Sequence, residues 1–270
     1  MKHIIAVASG KGGVGKSTVA ANLAVALADY CTGENSRPLK IALVDVDFYG
    51  PSIPVIMGRT NGGVGNISVD PDTNLIIPAQ AHGVKYISIA FFLKNDDDPI
   101  IWRGPRFGKA MEQLFGDVQW GDIDICVVDM PPGTGDAQLS LTQVVNLAGV
   151  VLVTTPQEVS LSDVRRAVNM FSQVNVPVLG VVENMAGFKM PDGKVVDIFG
   201  SGGGEILAKQ YGLTMLGSIP IDVKIREGGD AGQPIVRDAS HEVTAIYKEI
   251  ARQVVEALSN QPEDELKVEN

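Results

Sequence analysis

Residues 10–18 read GKGGVGKST, which places Gly10, Gly15, Lys16 and Ser17 on the spacing G-x-x-x-x-G-K-[ST]. Glycines at this density let the main chain curl so that successive N–H groups converge on phosphate oxygens. The run Gly10, Gly12, Gly13, Val14, Gly15, Lys16, Ser17 and Thr18 is therefore expected to cradle a phosphate chain. Lys16 would bring a mobile positive charge to the β- and γ-phosphates, and the Ser17 hydroxyl would ligate Mg²⁺. Two apolar runs end in acids. Residues 41–44 lead into Asp45 and Asp47, and residues 123–128 lead into Asp129, followed by MPPG. Asp129 is expected to act on Mg²⁺ or its waters, with Gly133 offering a main-chain N–H to the γ-phosphate.

A rival reading uses Gly10, Gly12 and Gly15 as G-x-G-x-x-G, the dinucleotide fingerprint. It wants an acid about 20 residues further on, whereas Asp45 and Asp47 follow Gly15 by about 30, and it leaves Lys16 and Ser17 without a task. Lys11 is not required by ordinary phosphate-loop chemistry. It reads either as a solvated loop lysine or as a second cation for transition-state charge, supplied in cis or by a partner subunit.

Such a site needs a strand before the loop and a helix after it. Apolar, mostly continuous runs at 4–8, 41–44, 85–89, 123–128, 150–154, 178–182 and 215–218 read as strands covered on both faces. Helices are expected at 16–29, where Val19, Leu23 and Leu27 share one stripe, and at 162–174, 203–211 and 241–258. Alternating strands and helices imply an α/β fold, a mostly parallel central sheet with helices on both faces. Residues 58–72 and 95–99 read as loops. The expected organisation is one domain over 1–258 and an acidic, disordered tail over 259–270.

The 270 residues are 45% hydrophobic, which excludes disorder as the main state. The formal net charge of −10 argues against nucleic acid as a partner. Cys31 and Cys126 lie far apart, so no disulfide framework is expected and a reducing, cytoplasmic compartment is. No apolar run approaches the roughly 18 residues of a membrane span, and the acidic ending NQPEDELKVEN does not suit a membrane anchor.

GKGGVGKST with its extra Lys11 resembles the deviant Walker A motif of the MinD/ParA/NifH-like ATPases. DVDFYGPSIPVIMG (45–58), WRGP (102–105), DMPPGTGDAQLSL (129–141), TTPQEVSLSDVRRA (154–167), ENMAGF (183–188) and FGSGGGE (199–205) resemble its Mrp/ApbC branch, over about residues 4–235. The resemblance implies a P-loop ATPase that binds ATP with Mg²⁺, hydrolyses it slowly, and carries or assembles iron–sulfur clusters. It implies an ATP-state homodimer in which Lys11 reaches the partner's nucleotide, with iron–sulfur acceptor or scaffold proteins as further partners. By the same resemblance Asp47 orients the attacking water. Asn184 recognises adenine, and the segment holding Pro220 and Asp222 closes over the base. The alternatives are a positioning or partitioning ATPase of the MinD/ParA type, or a nucleotide-switched scaffold without a cluster. The branch's bridging [4Fe–4S] site is a C-x-x-C soon after ENM. Here Met190 and Gly193 occupy those positions, a thioether and no side chain at all where thiolates are needed.

Overall fold

The computed structural model describes residues 1–32, 37–59, 67–92 and 105–261. The main sheet contains β1 (His3–Ala8), β2 (Ile41–Asp45), β3 (Ala79–Ala81), β4 (Val84–Ser88), β5 (Ile125–Asp129), β6 (Gly149–Thr154), β7 (Val178–Lys189), β8 (Val195–Val196) and β9 (Met215–Ile221). Across the sheet the order is β8-β7-β6-β1-β5-β2-β4-β3, and β9 pairs with β7. Every pairing among β1, β2, β4, β5, β6, β7 and β9 is parallel. The antiparallel pairings are β3 on β4 and β8 on β7. The α/β sheet is thus mostly parallel, as expected, with hairpin additions at its margins.

All residues of β2, β5 and β6 are buried, which is what strands covered on both faces require. The helices are α1 (Lys16–Ala28), α2 (Ile53–Ile56), α3 (Pro105–Gly116), α4 (Asp136–Val144), α5 (Glu158–Gln173), α6 (Gly203–Tyr211), α7 (Val223–Asp230) and α8 (Glu242–Ser259). Helix α1 packs on α8, α3 on α4, and α5 on α6. Residues Val19 to Ala28 of α1 are buried on every side, because the helix lies between the sheet and α8. The stripe of Val19, Leu23 and Leu27 is therefore only part of what it buries.

Several elements depart from the sequence reading. Helices α2, α3, α4 and α7 were not expected, Ser68–Val69, inside the expected loop at 58–72, pairs antiparallel with Ile76–Ile77, and β9 runs three residues beyond 218. Strand β5 starts two residues later than expected and takes in Asp129, and α5 begins at Glu158 rather than 162. Strand β7 runs to Lys189, seven residues beyond 182. Its polar ENM and Gly187 hid that continuation, and the strand is bent there. Met185 and Gly187 have φ of 59° and 77°, and the register to β9 slips between Asn184 and Phe188. The expected loop at 95–99 and residues 60–66 of the expected loop at 58–72 lie outside the described residues. So do residues 102–104 of WRGP and most of the acidic tail.

At the end of the sheet away from the phosphate loop, Asp124 accepts both N–H bonds of the Arg37 fork, at 2.8 and 2.9 Å, and the Lys40 N–H. The Lys2 ammonium lies 3.0 Å from it. The Arg37 bonds, with those of Lys40 and Lys2, hold the Asp124 carboxyl far below its ordinary range despite its burial.

Candidate phosphate-binding site

Parallel strands bring their carboxyl ends to one edge, and there β1, β2 and β5 deliver the phosphate loop, Asp45 with Asp47, and Asp129. Between β1 and α1 the chain forms a cavity of about 240 Å³. It is lined by Ser9, Lys11, Gly12, Gly13, Gly15, Lys16, Ser17, Thr18, Asp47, Gly50, Ser52 and Pro132. Helix α1 starts directly at its floor, so the unpaired N–H groups and positive end of a 13-residue helix face the cavity.

Gly15 caps that helix with φ 80°, and a Cβ there would lie 2.3 Å from Asn184 Nδ2. A side chain at this position would both strain the turn and displace Asn184.

The electrostatic centre is Lys16, whose side chain is 6% exposed. Its ammonium lies 2.6 Å from Asp129 Oδ1 and 3.2 Å from Asp47 Oδ2, and it donates to Ser17 Oγ at 3.3 Å. Burial alone would lower the Lys16 pKa. The charges of Asp129, Asp47 and Asp45 outweigh it and hold the ammonium above its ordinary value. Burial raises the Asp129 carboxyl, and Lys16 opposes that rise. Asp45, opposite Asp129 in register, is pushed well up by burial and by Asp129's charge. In this arrangement the lysine neutralises the acids that a phosphate-bound cation would otherwise meet.

Asp129 Oδ2 is buried and has no hydrogen-bond partner among the described residues. An orphan carboxylate oxygen beside the Ser17 hydroxyl is a hard oxygen donor set, which fits Mg²⁺. Among the described residues no group of three or more His, Cys, Asp and Glu could hold a metal by itself. Phosphates would have to complete the shell, as is usual for Mg²⁺.

Several expected residues stand elsewhere. Gly10 packs against the Asp163 backbone rather than lining the cavity. Val14 is buried and turns its carbonyl to Asn184, whose Nδ2 donates to it at 2.8 Å. Gly133 donates its N–H to the Ser9 carbonyl at 2.9 Å, so that group does not point at a γ-phosphate here. Asn184 and Pro220 lie on the neighbouring strands β7 and β9, where Asn184 pairs in register with Ile219. Asp222 caps α7 through the Lys224 N–H and sits 3.5 Å from His241. None of these three lines the phosphate cavity; Asn184 reaches its wall through Gly15. Gly50, Ser52, Pro132 and Ser9 do line it and were not singled out by the sequence reading. Gly50 and Ser52 sit in GPSIP just after Asp47, and that proximity was the signal available.

The remaining donors do not fit a bridging cluster. Cys126 is fully buried in β5, where burial pushes its thiol far above its ordinary pKa, and Cys31 is exposed at the other end of α1. Met190 and Gly193 form the turn of the β7–β8 hairpin, with the Gly193 N–H donating to the Met190 carbonyl at 2.8 Å.

A phosphate loop between a central parallel strand and a buried helix, with acids at the adjoining strand ends, defines a P-loop NTPase. The family model described as ParA, NUBPL iron-transfer P-loop NTPase, matches residues 1–255. The chain belongs to that family. It is 50% identical over 267 residues to the iron-sulfur cluster carrier protein of Aquifex aeolicus, covering 96% of this chain and 70% of that one. It is 45% identical over 269 residues to the iron-sulfur cluster transfer protein NUBPL of Dictyostelium discoideum, covering 99% and 80%. Among solved structures it resembles the nucleotide-binding protein of Archaeoglobus fulgidus in complex with ADP, with Co found in it. The TM-score is 0.72 at 37% identity, over 86% of each chain. No helix among the described residues is long and apolar enough to cross a membrane.

Proposed function

We propose that the chain is a Mg²⁺-dependent ATPase of low turnover that dimerises around ATP and serves iron–sulfur cluster carriage or assembly. The observation that carries this reading is the Lys16 ammonium held between Asp129 and Asp47 on the floor of an amide-lined cavity. A triphosphate would draw Lys16 off the two carboxylates. Ser17 and Asp129 would then be the residues that hold Mg²⁺, which would supply charge neutralisation to the phosphate chain. Asp47 would orient the attacking water, and Lys11 and Lys16 would offset the charge that develops. Among the described residues Asp47 is the one carboxylate that lines the cavity and no histidine joins it, so slow hydrolysis is expected. Asn184, Pro220 and Asp222 would form the base-binding side, beyond Gly15. The relatives named for iron–sulfur cluster carriage and transfer support the cellular role.

The cysteine pattern favours a second reading, a nucleotide-switched scaffold whose partners hold the cluster. One anaerobic experiment separates the two: iron and sulfide content after reconstitution, transfer to an apo-acceptor, and molar mass with and without ATP. Transferable cluster on an ATP-dependent dimer supports carriage. An ATP-dependent dimer without iron supports the scaffold, and a chain indifferent to ATP defeats both.

A further inference from the structure

Asp45 and Ser88 are fully buried polar residues that close the neighbouring strands β2 and β4, and neither lines the cavity. The Ser88 hydroxyl donates to Asp45 Oδ2 at 2.8 Å while accepting the Ala90 N–H at 3.1 Å, so its single proton is directed at the carboxyl. Asp45 in turn accepts the Asp47 N–H on Oδ1 at 3.1 Å and the Ile53 N–H on Oδ2 at 3.4 Å. Those two amides bound the segment 47–53. This segment contributes Asp47, Gly50 and Ser52 to the cavity wall. Within it, the Asp47 carboxylate accepts the Tyr49 N–H at 3.1 Å. Two polar side chains fully withdrawn from water are a poor way to fill a sheet interior whose neighbours are Val44 and Ile87. Their partners explain them: one carboxyl ties both ends of the cavity segment to the sheet.

We propose that Ser88 and Asp45 are positioning residues for the 47–53 segment, setting where Asp47 and Ser52 stand relative to the phosphate chain. The inference rests on the ATPase reading above, but its structural half is measurable without catalysis. The test uses the full chain with Ser88→Ala, Asp45→Asn and Ser88→Thr. The readouts are peptide-resolved amide hydrogen exchange without nucleotide, ADP affinity, and the steady-state kcat and KM for ATP.

Removing the hydroxyl should speed exchange in 47–53 by about tenfold while leaving α1 unchanged, because one hydrogen bond to a carboxyl is lost locally. ADP affinity should stay within about twofold, since the phosphate loop is untouched, and kcat should fall about tenfold with KM nearly constant. Ser88→Thr, which keeps the hydroxyl, should restore both. Unchanged exchange in both Ser88→Ala and Asp45→Asn overturns the proposal. So does a parallel loss of ADP affinity and turnover, which is what general loosening would produce. If Ser88→Ala fails to fold, Asp45→Asn and Ser88→Thr carry the same comparison. If the unaltered chain does not hydrolyse ATP, the ATPase reading falls while the exchange data still decide the positioning role.

Discussion

Replacing Lys16 with alanine should destabilise the protein even without nucleotide. The lysine side chain is 6% exposed, Asp129 is fully buried and Asp47 nearly so. Removing the ammonium leaves Asp129 facing Asp47 with its counter-ion gone. Breaking a buried pair from one side costs about 3–5 kcal/mol. At roughly 2–4 °C per kcal/mol for a chain of this size, the apparent Tm should drop by on the order of 10 °C. The deficit should depend on pH in a definite direction. Without Lys16, burial and Asp47 raise the folded-state pKa of Asp129 above its unfolded value of 3.8. A carboxyl with a raised folded pKa is stabilising when protonated and loses that contribution as pH rises. Lys16→Ala should therefore fall further behind the parent at pH 8 than at pH 5. Asp129→Asn in the Lys16→Ala background should recover more than about half of the loss, because the uncompensated charge is then absent. The assay is thermal unfolding of nucleotide-stripped protein by circular dichroism across that pH range. A Tm within about 2 °C of the parent at pH 8, with no pH trend, would falsify the pairing.

Other perturbations probe the frame that holds the site. Gly232 has φ 67°, and a Cβ there would lie 2.1 Å from Gly58 Cα, whereas Gly212 has φ 65° and nothing within 4 Å. Urea unfolding should show Gly232→Ala costing about 3 kcal/mol or more and Gly212→Ala about 1; equal costs would count against the close approach. The Tyr247 hydroxyl is buried without a partner among the described residues. Tyr247→Phe should leave stability unchanged or raise it by about 1 kcal/mol, and a clear loss would mean the hydroxyl is satisfied. Asp124 has a lowered pKa, so its contribution is present above its ordinary value and lost as pH falls below it. Asp124→Asn should cost about 1–3 kcal/mol at pH 7, with the gap beginning to narrow only below about pH 4 and narrowing further with each step into acid in pH-dependent melting. A gap that stays constant would refute the Arg37 pairing as its cause.

The phosphate loop, the strands that carry it and the two acid-bearing strand ends were legible because each combines a continuous apolar run with a change of chemistry at its end. Helix α8 was legible from its apolar stripe of Val243, Ile246, Ile250 and Val254, and α6 from its place after a strand. Gly50 and Ser52 were not, because a cavity wall made by a loop leaves no period in the sequence. The extension of β7 was hidden for the same reason, since the bend at Met185 interrupts the apolar pattern while the hydrogen bonding resumes beyond it. The pairing of Ser88 with Asp45 depends on which strands become neighbours, and 43 positions separate the two residues. Gly133 fits the phosphate-site pattern, yet its N–H goes to the Ser9 carbonyl. A motif names a group's capacity, and local geometry decides its partner.

The cradle itself is tested most directly by titrating ATP with Mg²⁺ into nucleotide-free protein in a calorimeter, beside Lys16→Ala. Saturable heat at one nucleotide per chain, weakened by chelating the Mg²⁺ and abolished in the variant, is the expected result. No heat from the unaltered chain, or equal heat from both proteins, would contradict the account.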